Sequence, residues 1–115
     1  MKRLLVTWLA LVLLSGCAAG ASSTSAPPPP KQVTITLADG KAEPIAEKVE
    51  LVKGQHLVLT ITSDRADTVH VHGFDVEIEV KAGETVTRDL VMDKVGRFEV
   101  ESHEPVFTLL QLQIQ

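Results

Sequence analysis

Two histidines offer the clearest possibility of chemistry in this sequence. His70 and His72 lie two residues apart in the segment DTVHVHGFD, which otherwise has the composition of a β-strand. Side chains two residues apart on a strand point to the same face of a sheet, so both imidazoles can reach one ligand. Imidazole nitrogens suit Cu(II) and Zn(II), and intrinsic affinity favours copper. The alternative is that both histidines are half-buried strand residues that hydrogen-bond to the backbone.

The course of this strand decides where the two imidazoles point. If the strand continues through Gly73 without interruption, both histidines share the core face with the apolar residues of the following segment DVEIEV. If Gly73 instead marks a bulge or a bend, Val69 and Val71 are core residues and both histidines face water. The sequence is compatible with both arrangements.

No arrangement typical of catalysis occurs in the sequence. Ser102 and His103 are adjacent, so on a strand they would point to opposite sides of the sheet and could not act as nucleophile and base. No other residues match a catalytic triad or a pair of catalytic carboxylates. His56 opens an apolar strand and is interpreted as a surface residue. We therefore expect a protein that is not an enzyme.

The only cysteine lies at the end of an N-terminal targeting segment. Lys2 and Arg3 precede an apolar run over residues 4–14, which is typical of a signal peptide over residues 1–16 and is short for a membrane span. The run ends in Leu-Ser-Gly-Cys, which resembles the bacterial lipobox, so Cys17 is predicted to be the lipidated first residue of the mature chain. Acylation would remove its sulfur from disulfide, nucleophilic and metal-binding chemistry.

The residues that follow are predicted to tether a domain to a membrane. Residues 17–31 combine small side chains and serines with four consecutive prolines, and such a linker reaches roughly 30 Å. We expect a lipid-anchored protein of the cell envelope that faces the periplasm or the exterior. Because Ala18 rather than aspartate follows the cysteine, the general sorting behaviour of such lipoproteins would direct it to the outer membrane in a Gram-negative host.

Residues 32–115 are predicted to form one small domain. Without Lys2 and Arg3, nine of the eleven basic residues remain against fifteen acidic ones, so the mature chain has a formal charge of −6. This charge disfavours nucleic acid as a partner. Three phenylalanines remain once Trp8 is removed with the signal peptide, too few for a platform that stacks sugars or bases.

Apolar and polar residues alternate along most of this domain, which is the pattern of half-buried β-strands. The segment HLVLTITSD places Leu57, Leu59 and Ile61 on one face, and the C-terminal segment LQLQIQ alternates aliphatic residues with glutamines. Turn signals separate the runs at regular spacing. We expect an all-β antiparallel sandwich of seven or eight strands.

The order of these segments resembles that of a cupredoxin from about residue 33 to the C-terminus. The matching parts are the turn VKGQ before a long apolar strand, the segment SDRADTVHVHGF, the turn KAGET, and the segment GRFEVESH before a C-terminal strand. The resemblance implies a cupredoxin-like Greek-key sandwich. It also implies that His70 takes the position of the first copper ligand of the family.

The sequence departs from the cupredoxin pattern at the other ligands, which in the family are a cysteine, a second histidine and a methionine on the loop after GRFEVESH. Ser102 stands about where the cysteine would be, His103 is the only candidate histidine, and no methionine follows. Type 1 blue copper requires a thiolate, so that centre is excluded. The resemblance instead implies a site of His70, His72 and His103. A neighbouring carboxylate could come from Asp75, Glu101 or Glu104.

Two functions are compatible with these features. The first is a membrane-tethered protein that binds Cu(II), or less favourably zinc, through histidines for metal buffering or delivery in the cell envelope. The second is a metal-free cupredoxin-like module that binds another envelope protein through a sheet edge or through its histidine-bearing end.

Overall fold

The computed structural model describes residue 20 and residues 25–115 of the 115-residue chain. The predicted signal peptide over residues 1–16 and the predicted lipidation of Cys17 lie outside the described residues, as do residues 18–19 and 21–24 of the predicted tether. In the part of the chain that is described, no helix is long and apolar enough to span a membrane.

Nine β-strands, joined by short turns, make up the fold of residues 25–115. They are β1 (Lys31–Ala38), β2 (Lys41–Glu43), β3 (Glu47–Leu51), β4 (His56–Ser63), β5 (Asp67–Val71), β6 (Val76–Val80), β7 (Thr85–Val91), β8 (Gly96–His103) and β9 (Val106–Ile114). The prediction of an all-β domain is confirmed. The structure has nine strands rather than seven or eight, because the segment before β4 forms the three strands β1, β2 and β3.

The strands form two sheets. The four-stranded sheet has the order β2-β1-β4-β7, and the five-stranded sheet has the order β3-β9-β8-β5-β6. The predicted sandwich is confirmed, but both sheets are mixed rather than purely antiparallel, because β1 pairs with β4 and β3 with β9 in parallel. The parallel pairs arise because the chain crosses between the sheets instead of returning through a hairpin.

The core lies between the two sheets and is built by the predicted alternation. Each strand that crosses the middle of the sandwich presents every second side chain to the opposite sheet. The fully buried aliphatic residues of the four-stranded sheet include Ile35, Leu57, Leu59 and Ile61. Those of the five-stranded sheet include Val69, Val71, Ile78, Val100 and Leu110. The polar residues between them therefore form the outer faces, and the outer face of the five-stranded sheet carries His70, His72 and His103.

Candidate metal-binding site

His70 and His72 lie on the outer, water-facing side of the five-stranded sheet. Val69 and Val71 are fully buried, whereas the two histidines are only half-buried. β5 ends at Val71 and the chain turns over residues 72–75, so that Val71 pairs with Val76 on β6. Of the two orientations compatible with the sequence, the structure therefore has the one in which the chain bends at Gly73 and the histidines face solvent.

The turn that ends β5 depends on Gly73. Its φ of 81° lies in the left-handed region that favours glycine. The ring of Phe98 packs where a Cβ atom at this position would lie. Phe74 of the same turn packs edge to face against Phe98, with ring centroids 4.9 Å apart, and the Lys94 ammonium donates a hydrogen bond to the Gly73 carbonyl. These contacts fix the place where His72 leaves the sheet.

Three imidazoles gather on this face. The ring centroids of His70 and His72 lie 4.2 Å apart, and those of His70 and His103 lie 6.0 Å apart. His103 is the last residue of β8, which pairs with β5. The structure thus brings together the three histidines that the sequence and the cupredoxin resemblance indicated, with His70 in the middle.

Glu101 is the carboxylate that joins this cluster. It lies opposite His70 in the pairing of β5 with β8, and its Oε2 is 2.7 Å from Nε2 of His72. Among the described residues, neither Asp75 nor Glu104 has a side-chain hydrogen bond to one of these histidines. A carboxylate that binds one ring nitrogen of a histidine orients the other nitrogen toward a metal, so Glu101 fits the supporting position.

The positions of the rings were compared with the requirements of a shared ion. Two imidazoles that bind one ion through nitrogens at about 2.0 Å place their centroids roughly 4.5 to 6.4 Å apart. The 6.0 Å between His70 and His103 falls within this range, and the 4.2 Å between His70 and His72 is slightly short of it. Within residues 25–115, no three histidine, cysteine or carboxylate side chains are close enough to hold an ion as they stand. Coordination therefore requires the half-exposed rings to rotate.

The β8–β9 turn that carries His103 is held by a buried carboxylate that sequence reasoning did not identify. Asp67 is buried, and its Oδ1 accepts hydrogen bonds from the backbone N–H groups of Thr68, His103 and Glu104 at 2.8, 2.9 and 3.0 Å. Its Oδ2 lies 3.4 Å from a guanidinium nitrogen of Arg65. The sequence signal for this role was that Asp67 lies two residues before Val69 on the same strand, so its side chain points to the core face.

Ser102 also holds this turn. It is fully buried, its hydroxyl donates to the Pro105 carbonyl at 2.9 Å, and the same oxygen accepts a hydrogen bond from the Phe107 N–H at 3.2 Å. The residue that the resemblance placed near the cysteine ligand of cupredoxins therefore closes a tight turn in this protein. His103 is exposed on that turn.

His56 lies apart from the cluster, on the four-stranded sheet. Its Nδ1 is 2.8 Å from Oδ1 of Asp89, and both side chains are about half exposed. This position agrees with its interpretation as a surface residue.

Comparisons with known proteins identify the fold. No protein-family model and no curated protein matches the chain. A copper nitrite reductase from Nitrosomonas europaea superposes with a TM-score of 0.55 and 14% identity, over 73% of this chain and 41% of its own. A copper binding protein in its apo form superposes with a TM-score of 0.55 and 16% identity, over 73% of this chain and 86% of its own. A mutant of amicyanin with Cu(I) superposes with a TM-score of 0.51 and 12% identity, over 73% of this chain and 82% of its own. The described part of this chain has a cupredoxin-like fold.

The low identities establish a shared architecture only. The cupredoxin-like domain spans less than half the length of the nitrite reductase, and it matches most of the length of the two small copper proteins. Residues 32–115 contain no cysteine, and His70, His72 and His103 lie on the outer face of a sheet.

Proposed function

We propose that the cupredoxin-like domain binds one Cu(II) ion through His70, His72 and His103. The observation that supports this most directly is the grouping of the three imidazoles on one exposed sheet face, with the His70 ring 4.2 Å from His72 and 6.0 Å from His103. Nitrogen donors with an adjacent carboxylate suit Cu(II), and zinc is the less favoured alternative.

The proposed copper would not be a blue centre. Cys17 is the only cysteine, and it precedes the domain at the predicted lipidation site. A histidine site without sulfur favours holding or handing over the ion, so we assign a role in metal buffering or delivery and expect no catalysis. The names of the structural neighbours include a copper binding protein and copper nitrite reductase, which supports copper as the metal to test first.

The proposed place of action is the cell envelope. The lipobox-like segment before Cys17 and the proline-rich residues 27–30 would hold the domain near a membrane at the end of a linker. The membrane through the lipid anchor is therefore one proposed partner, and an envelope protein that exchanges copper is another.

Copper titration of the purified protein tests the proposal. We expect one Cu(II) per chain, an electron paramagnetic resonance spectrum with nitrogen hyperfine structure, and no intense blue absorption. Because the ion would bind the folded state, at one hundred times the dissociation constant it should stabilise the domain by about 2.7 kcal/mol, measured as a rise in Tm. Acidification from about pH 7.5 to about pH 5.5 should weaken binding, since protonated imidazole cannot coordinate.

Histidine variants provide the matched comparison. The double variant His70→Ala/His72→Ala should lose high-affinity copper and stay folded, because both side chains lie outside the core. His103→Ala should weaken binding, and His56→Ala should leave it unchanged. If the unmodified protein gains no stability from copper, or if His56→Ala loses as much affinity as the double variant, the proposal is wrong and the metal-free interaction module becomes the better interpretation.

A further inference from the structure

A groove runs along the outer face of the five-stranded sheet beside the histidine cluster. Its volume is about 570 Å³, and one wall is the turn that carries His72. The polar residues that line the groove are Lys48, His72, Arg97, Glu99, Gln111 and Gln113.

The charges around this groove are arranged by the register of three strands. Gln111 of β9 lies between Lys48 of β3 and Glu99 of β8, and Gln113 pairs with Arg97 in the neighbouring row. Adjacent strands lie about 4.8 Å apart, so the backbones of Lys48 and Glu99 are about 10 Å apart, with Gln111 between them. In the same register Glu50 of β3 lies on the other side of Gln113, so two cationic groups and two carboxylates surround the two neutral amides.

These charged groups are not neutralised by one another. Within residues 25–115 the ion pairs are His56 with Asp89, Arg65 with Asp64 and Asp67, and His72 with Glu101. None of them includes Lys48, Arg97 or Glu99. Ionised side chains that line a concave surface without internal partners are available to a ligand of complementary charge.

We propose that this groove binds a small zwitterion, an α-amino acid, in addition to any metal bound by the histidines. The guanidinium of Arg97 and the ammonium of Lys48 would bind the carboxylate, since a planar guanidinium can bind a carboxylate through two parallel hydrogen bonds. The carboxylate of Glu99 would accept hydrogen bonds from the ammonium group of the ligand. The side-chain amides of Gln111 and Gln113, which lie between these charges, offer both hydrogen-bond donors and acceptors.

The charge balance favours this ligand class over a phosphate. Lys48 and Arg97 together contribute two positive charges, and Glu99 and the neighbouring Glu50 offset both, so a dianion would bring excess negative charge next to carboxylates. A molecule with one negative and one positive end matches both kinds of group. The groove volume of about 570 Å³ is large enough for an amino acid with a side chain.

The experiment compares three probes on the metal-free, full-length protein. L-alanine carries both charged groups, propionate lacks the ammonium, and ethylamine lacks the carboxylate. Binding is followed by changes in the amide signals of Gln111 and Gln113 in two-dimensional nuclear magnetic resonance spectra. L-alanine should bind at least about tenfold more tightly than either half molecule, because only the zwitterion satisfies both signs of charge. Failure of copper binding would not affect this result, because no metal is present.

Single substitutions assign the two ends of the ligand. Arg97→Ala should lower the affinity for L-alanine and for propionate about tenfold each. Glu99→Gln should lower the affinity for L-alanine, while the affinity for propionate stays the same or rises. Arg88→Ala, which removes an exposed arginine from the four-stranded sheet, is the matched control and should change neither. The proposal is overturned if L-alanine causes no signal changes at the groove, if phosphate binds more tightly than L-alanine, or if Arg88→Ala has the effect of Arg97→Ala.

Discussion

Asp67 is the residue on which the geometry of the histidine-bearing end depends most. A buried carboxylate is costly unless its charge and its lone pairs are satisfied. Here three backbone N–H groups donate to Oδ1, and the Arg65 guanidinium balances the charge from 3.4 Å without donating a hydrogen bond to Oδ2. Arg65 also donates through Nε to the Glu104 carbonyl. The same hydrogen bonds hold the backbone of His103, so one side chain links the core to the candidate metal site.

Replacing this carboxylate should be strongly destabilising. Asp67→Ala leaves the Arg65 charge and three backbone donors without their partner, which should lower the free energy of unfolding by about 3 kcal/mol or more. Urea denaturation measures the loss. Asp93→Ala, at an exposed position, is the control and should change stability by less than about 0.5 kcal/mol. Equal stability of the two variants would contradict the role given to Asp67.

At the scale of elements, the turn over residues 72–75 decides the orientation of the candidate site. A strand running straight through this region would place His72 on the same side as the core residues Ile78 and Val80. The turn instead folds β6 back beside β5 and leaves both histidines outside. Its conformation depends on Gly73 and on the packing of Phe98 against it.

Two glycines with similar backbones separate the effects of strain and packing. Gly73 and Gly83 have φ values of 81° and 78°, but only at Gly73 would an added Cβ meet other atoms, those of the Phe98 ring. Gly83→Ala should cost about 1 kcal/mol from backbone strain alone. Gly73→Ala should cost about 3 kcal/mol because it must also displace the ring. Thermal unfolding of both variants checks this difference, and a Gly83→Ala loss as large as that of Gly73→Ala would refute it.

At the scale of the whole molecule, the domain has one aliphatic core and a polar outer surface. The chain enters β1 from the proline-rich segment, where the Pro29 carbonyl accepts a hydrogen bond from the Gln55 side chain. This end of the sandwich is where a tether would attach.

Substitution of the predicted lipidation site tests the anchor. Cys17→Ser should release the protein from the membrane fraction or leave an uncleaved precursor, because the sulfur that would be acylated is lost. Fractionation and the mass of the mature chain measure both outcomes. Ser15→Ala, two residues earlier, is a control that keeps the cysteine. Normal processing and membrane attachment of Cys17→Ser would show that the lipoprotein prediction is wrong.

The sequence by itself determined the strand content, the core and the lack of a thiolate in the domain. Period-two alternation requires one apolar face per strand, and the aliphatic residues assigned to that face in β4 and β9 are buried in the structure. A type 1 site requires a thiolate, and composition alone shows that the domain has none. These properties depend on residue type and local spacing, so no contact between distant segments was needed to predict them.

Only the tertiary structure decided which way the histidines face, how close they lie and what holds them. The face depends on whether the chain bends at Gly73, and that bend is stabilised by Phe98, which lies on another strand. The proximity of His103 depends on the pairing of β8 with β5, and the burial of Asp67 depends on Arg65 and on the β8–β9 turn. Each of these involves residues far apart in the chain, whose approach is set by the packing of the whole sandwich and leaves no periodic signal in the sequence.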